Sequence, residues 1–313
     1  MRNVTVKCEM KIHKLMITRS IKRILTSKPT MEGAGVHLKR AFGFYEVPQF
    51  DPFLLLDDFR NDEPGKYLRG FPWHPHRGIE TITYMLEGSA EHGDSLGNKG
   101  TIGPGDVQWM TAGSGIIHQE MPKPGPDGRM YGFQLWANLP ASHKMMKPRY
   151  QDVKASEIPE AALDSGVKIR VICGEINGIK GPVKDIIIDP EYLDITVPAG
   201  TEYLHPVQKG YTVFIYVIGG KGVTGNSLEA GERGGGGAEK QGSGEIFVEN
   251  QTLVLFEDGD QIRIKAEGAF VRFLLISGKP LNEPVAWGGP IVMNTKEELD
   301  IAFQEFRSGR FIK

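Results

Sequence analysis

Cysteine is nearly absent from this chain: Cys8 and Cys173 are the only two in 313 residues. A disulfide framework and a thiolate zinc cluster are thereby excluded, because each needs several cysteines at close spacing. Long apolar runs are lacking too. None approaches the roughly 20 residues of a membrane-spanning helix, and the N-terminus has no uninterrupted apolar core of the secretory kind. Net charge is −2, too little for a global field that would gather nucleic acid or anionic membrane. These absences point to a cytoplasmic protein that does not bind membranes. Residues 1–42 do hold ten Lys/Arg against Glu9 and Glu32. Without interleaved aromatics or an arginine-rich readout pattern, that stretch reads as a solvated strand face, and direct nucleic-acid binding is not expected.

Glycine, by contrast, is abundant. Its 40 residues stand well above the usual share of about 7%, and they flank short apolar or alternating runs. Such runs read as β-strands joined by tight turns, where glycine reaches positive φ without steric cost. Clear cases are Ile79–Leu86, Val167–Cys173, Lys184–Ile188, Leu193–Val197, Tyr211–Ile218, Gln251–Phe256, Gln261–Lys265 and Ala269–Ile276. The expected class is all-β. One helix is expected near the C-terminus, where Thr295 and Glu298 form a capping box. Leu299, Ala302, Phe303 and Phe306 follow as one apolar stripe before Gly309.

The two halves echo each other. His74-Pro75-His76 precedes Gly78, a strand and Gly88, while His205-Pro206-Val207 precedes Gly210, a strand and Gly220. Gly105-Asp106 is mirrored by Gly259-Asp260. Similarity in fixed order suggests a duplicated β domain. The expected division is a metal-binding N-terminal domain over 1–140, a polar linker over 141–159 and a C-terminal domain without metal over 160–313. The glycine-rich segment 219–244 lacks the Gly-Lys-Ser/Thr ending of a phosphate loop and reads as a hairpin or surface loop.

Two spacings carry the chemistry. His74 and His76 are two apart, as are His118 and Glu120; on strands, each pair projects from one face. Strands lying side by side would bring three imidazoles and one carboxylate together, a donor set for a first-row transition metal. Glu80 is a second candidate carboxylate, because an unbroken strand would put it on the face of His74 and His76. Otherwise Glu80 supports the site from behind or pairs with Arg77. His92, beside Glu91 and Asp94, is expected on a loop at the rim. His13, His37 and His143 have no such partners and read as structural.

Phe71-Pro72-Trp73-His74-Pro75-His76-Arg77-Gly78-Ile79-Glu80-Thr81 resembles the pirin family. So do Gly105-Asp106-Val107-Gln108-Trp109-Met110-Thr111-Ala112-Gly113, Ile117-His118-Gln119-Glu120-Met121-Pro122, Gln134-Leu135-Trp136 and Gly289-Pro290-Ile291-Val292-Met293-Asn294-Thr295. The resemblance runs from about residue 33 to the C-terminal helix. It implies two cupin barrels (double-stranded β-helix or jelly-roll) facing each other, with one non-haem Fe(2+) in the first. The implied metal ligands are His74, His76, His118 and Glu120, with Glu120 also serving as general base. Mn, Ni, Cu or Co are further metals such a donor set accepts. The family implies quercetin 2,3-dioxygenase activity on a flavonol-like substrate or, alternatively, metal-dependent redox regulation of a protein partner without turnover. It also implies a nuclear location if the chain is eukaryotic. Two barrels in one chain fit a monomer. The first fifteen residues and the length of segment 219–244 depart from the family pattern.

Overall fold

The computed structural model describes residues 16–225 and 245–313. Residues 1–15, with Cys8 and His13, and most of segment 219–244 lie outside the described residues.

The strands form two barrels. In the first, seven strands run in the order Arg149–Val153, Val107–Thr111, Ile79–Glu87, Tyr131–Asn138, Phe53–Asp58, Val36–Phe42 and Lys28–Glu32. They face a four-stranded sheet ordered Phe71–His76, Ile116–Lys123, Ser89–Asp94 and Lys99–Ile102. The second barrel is a nine-stranded sheet built around Thr212–Thr224 and Gln261–Gly278. Two runs expected as separate strands, at 261–265 and 269–276, are thus one continuous element that bends at Gly268, where φ is +67°. Segment 184–188, expected as a strand, is irregular instead. Asp185 and Asp189 adopt positive φ, and the Gln151 side chain bonds both backbone groups of Lys184, removing the sites a neighbouring strand would use.

The barrels share a core. Phe42, Phe53, Trp109 and Phe133 of the first pack in one cluster with Tyr192, Phe214, Tyr216 and Leu274 of the second. Phe53–Asp58 is buried at every position, as a strand covered on both faces must be. Two of the tyrosines that enter this interface pair with buried carboxylates. Tyr84 donates to Asp194 at 2.8 Å, and Tyr216 to Asp58 at 2.8 Å.

Pairing crosses the boundaries drawn from the sequence. Ile21–Thr26 joins the second barrel through Thr252–Phe256, and Arg149–Val153, inside the expected linker, joins the first through Val107–Thr111. A polar stretch marks an edge strand as readily as a linker, since an edge keeps one side in water. The C-terminal end returns to the first barrel. Buried Arg77 donates to Glu305 at 2.7 Å and to the Phe311 carbonyl at 2.7 Å. The expected helix is present at Lys296–Arg307, with the Thr295–Glu298 capping box formed. Its Leu299, Ala302 and Phe303 pack on Ile291 and Met293. Among the described residues, no helix is long and apolar enough to cross a membrane.

Candidate metal centre

Strands Phe71–His76 and Ile116–Lys123 lie antiparallel, with His118 directly opposite His74. Alternation along the second strand buries Ile116, His118, Glu120 and Pro122 while leaving their neighbours half-exposed. His118 and Glu120 therefore face inward because of period-two geometry, as their spacing predicts. His74, His76 and His118 present ring nitrogens that all lie within 4.8 Å of one another.

The local hydrogen bonds orient the rings. Pro72 and Pro290 offer carbonyl oxygens to Nδ1 of His74, at 2.8 Å, and of His76, at 3.1 Å. A carbonyl only accepts, so each Nδ1 carries the proton and each Nε2 is left with a lone pair. Those two Nε2 atoms face each other at 3.1 Å. His118 is 1% exposed, and neither of its ring nitrogens has a partner. Burial, followed by the charge of neighbouring histidines, holds His76 and His118 well below the ordinary histidine pKa. They are neutral, the form that ligates. Facing lone pairs beside an orphaned, buried imidazole are unfavourable unless a cation lies among them. The residues fit a metal.

Glu120 stands outside that tight group of nitrogens. Its carboxylate accepts from Gln134 Nε2 at 3.0 and 3.3 Å and from Thr83 Oγ1 at 3.2 Å. It lines a cleft whose other walls include Val36, Leu38, Phe59, Tyr67, Phe71 and Met130. Glu80 is placed differently. Gly78, at φ +77°, interrupts the strand after Arg77, and a Cβ there would lie 2.0 Å from the Val292 carbonyl oxygen. Glu80 then begins the next strand, buried, accepting from Thr111 Oγ1 at 2.6 Å and Trp109 Nε1 at 3.0 Å. Its suggested pairing with Arg77 is incorrect, because Arg77 is taken by Glu305 and by backbone carbonyls.

His92 also departs from expectation. It lies within strand Ser89–Asp94, buried opposite Glu120, with Nε2 2.9 Å from the Gln108 amide. Acidic flanks suggested a loop, but alternation puts Ala90, His92 and Asp94 inward and Glu91 outward. Sequence reasoning missed the roles of Gln134, Thr83 and Gln108 as positioning residues. For Gln134 a signal existed: it is two residues from Trp136, so both share a face, and the Trp136 indole donates to Gln134 Oε1 at 3.0 Å.

Residues 35–137 match the family model described as Pirin, and residues 192–312 match the Pirin C-terminal cupin domain. The chain belongs to the pirin family. A pirin-like protein of Caulobacter vibrioides is 43% identical over 302 residues, covering 95% of this chain and all of the relative. Human pirin is 40% identical, with 91% of each chain covered. A crystal structure described as quercetin 2,3-dioxygenase from Acinetobacter baumannii superposes with a TM-score of 0.80 at 31% identity, covering 94% of this chain and 99% of that one. Both barrels are thus cupins of the pirin type, and the histidine triad is the metal-binding feature of the first.

Proposed function

We propose that this pirin binds divalent iron through His74, His76 and His118, with Glu120 as fourth ligand or base, and oxygenates a flavonol-like substrate in the manner of quercetin 2,3-dioxygenase. The observation that carries this reading is His118, whose two ring nitrogens are buried without partners among the nitrogens of His74 and His76, all within 4.8 Å of one another. When bound, the ion supplies Lewis acidity toward a substrate oxygen and redox chemistry toward dioxygen. The chain supplies the rest. Carbonyl oxygens of Pro72 and Pro290 fix the ring tautomers that present Nε2. Gln134 and Thr83 aim the Glu120 carboxylate into the cleft, where it accepts the proton of the substrate hydroxyl. The apolar walls exclude water and suit a flat aromatic body.

The experiment is quercetin binding to iron-loaded protein without oxygen, followed by admission of oxygen. Release of carbon monoxide with the ring-opened depside is expected. Iron-loaded protein that binds quercetin and yields neither product rules out the oxygenase reading.

A further inference from the structure

The metal centre is joined to the surface by a file of aromatic rings. Trp136 meets the His76 ring edge-on, with centroids 5.1 Å apart. Trp287 lies 6.0 Å from Trp136, Phe44 lies 5.5 Å from Trp287, and Tyr45 lies 5.7 Å from Phe44. Every step falls within the ordinary range of aromatic contact, about 4.5–7 Å. Tyr45, at the far end, is 91% exposed.

Packing explains only the inner part of this file. Trp136 and Trp287 are partly buried against Ile79, Ile116 and Val292. Phe44 and Tyr45 remain 58% and 91% exposed, so Tyr45 in particular gains almost nothing from burial. Oxidisable aromatics also occur in the core, where Trp109, Tyr84, Tyr192 and Tyr216 are buried among phenylalanines, but those side chains are packed away from solvent and Tyr45 is not. The file that touches a metal histidine contains two tryptophans and a tyrosine, the easiest to oxidise. In the second barrel His205 meets Tyr203, which is itself buried.

Hydrogen bonding settles where an oxidising equivalent would rest. The Trp136 indole N–H donates to the Gln134 amide oxygen, and that of Trp287 to the Gly289 carbonyl at 2.7 Å. Neither acceptor is a base, so neither tryptophan can shed its proton to it and trap the charge. Tyr45 can release its phenolic proton to water. Phe44 serves as a bridge crossed by tunnelling and is not itself oxidised.

We propose that the file His76–Trp136–Trp287–Phe44–Tyr45 carries one oxidising equivalent from the metal centre to solvent, making Tyr45 a surface site for one-electron oxidation of small thiol-class reductants at the expense of a peroxide. The inference rests on the iron assignment under Proposed function and is independent of flavonol turnover. The peroxide O–O bond breaks and takes two electrons, one from ferrous iron and one from Tyr45. With two protons, one from the Tyr45 hydroxyl by way of water and one from solvent, it leaves as two waters, giving ferric iron and a Tyr45 phenoxyl radical. The radical then takes a hydrogen atom from one thiol. A second thiol returns the iron to ferrous by giving up one electron and releasing its proton to solvent. Two thiols and one peroxide thus yield a disulfide and two waters.

The test uses the full chain loaded with iron(II) or, in parallel, zinc(II), treated with one equivalent of hydrogen peroxide and a nitrone spin trap. Peptide mass spectrometry locates the adduct, and iron content is measured on the same samples. The expected result is an adduct at Tyr45 in the iron protein and not in the zinc protein. Tyr45→Phe moves it back to Trp287. Trp136→Phe retains iron but loses the Tyr45 adduct, and oxidation appears on His76. Equal labelling of Tyr45 with iron and zinc, or undiminished labelling in Trp136→Phe, overturns the route. Protein that holds no iron overturns the metal assignment and the route with it, whereas iron-loaded protein without the Tyr45 adduct overturns the route alone.

Discussion

Each barrel carries a deeply buried histidine, His118 in the first and His205 in the second, and the two have opposite surroundings. In the second barrel His205 is fully buried, and both its ring nitrogens are used. Nδ1 lies 2.9 Å from the Tyr203 hydroxyl, and Nε2 lies 3.0 Å from Glu191. In the first barrel His118 is as deeply buried, and neither nitrogen has a partner. A buried imidazole satisfied by a carboxylate and a hydroxyl is a finished structural element, whereas an unsatisfied one among other neutral imidazoles is a site awaiting a cation. Burial alone does not make a metal ligand; the atoms left over after local hydrogen bonding do.

The sharpest way to break this comparison is to truncate each histidine in turn. His118→Ala is expected to lose iron while retaining its melting transition, because it removes an orphaned group. His205→Ala should do the reverse. Iron content stays intact and stability falls by about 1–3 kcal/mol, as expected when a buried hydrogen-bonding side chain is removed and its partners are left unsatisfied. Metal analysis and denaturant titration of the two variants check both halves. If His205→Ala loses iron and His118→Ala retains it, the contrast between the barrels is wrong.

A smaller effect is expected at Gln134, which orients Glu120 from the facing sheet. Gln134→Leu leaves that carboxylate with Thr83 alone. Metal affinity should fall about 10–100-fold, the usual cost of losing a partner that holds a ligand in place, measured by competition with a chelator. An unchanged affinity would place Glu120 away from the metal and leave the three histidines as the whole protein donor set.

The smallest effect concerns Lys144, which ties the first barrel to the returning C-terminal segment. Its ammonium donates to the carbonyl oxygens of Gly78 and Val292 and to Asn138 Oδ1, all neutral acceptors. Burial pushes its pKa down from 10.5 to about 8. Between those values the unfolded chain binds more protons than the folded one, so stability rises with pH across that window. Below about 8 the folded protein bears the full cost of the buried charge. Lys144→Met should flatten the rise, as read from denaturation midpoints between pH 8 and 10.5. His205 has no counterpart to this lysine in its hydrogen bonding, and the His205→Ala variant should keep the wild-type slope.

Much of the site was legible in the chain because strand geometry converts spacing directly into direction. His74 with His76, and His118 with Glu120, needed only period two to face one way. The break at Gly78 was harder to see. A glycine after His-x-His-Arg does not reveal that Val292 passes over it, and this contact, from more than 200 residues away, separates Glu80 from the histidines. His92 and segment 184–188 were misplaced for a related reason: local composition cannot report a neighbouring strand or a reaching side chain such as Gln151.

By itself the sequence determined the all-β class, the duplicated plan, the capped terminal helix and the inward faces of two ligand-bearing strands. Each of these depends on contacts close along the chain or on a fixed backbone repeat. Tertiary structure alone decided that the two ends exchange barrels, that Glu80 belongs to Trp109 and Thr111, and that a file of aromatic rings leads outward from His76. Those outcomes follow from which distant segments pack together, and packing is governed by shape and by the pairing of every buried polar atom, neither of which is written in any one stretch of residues.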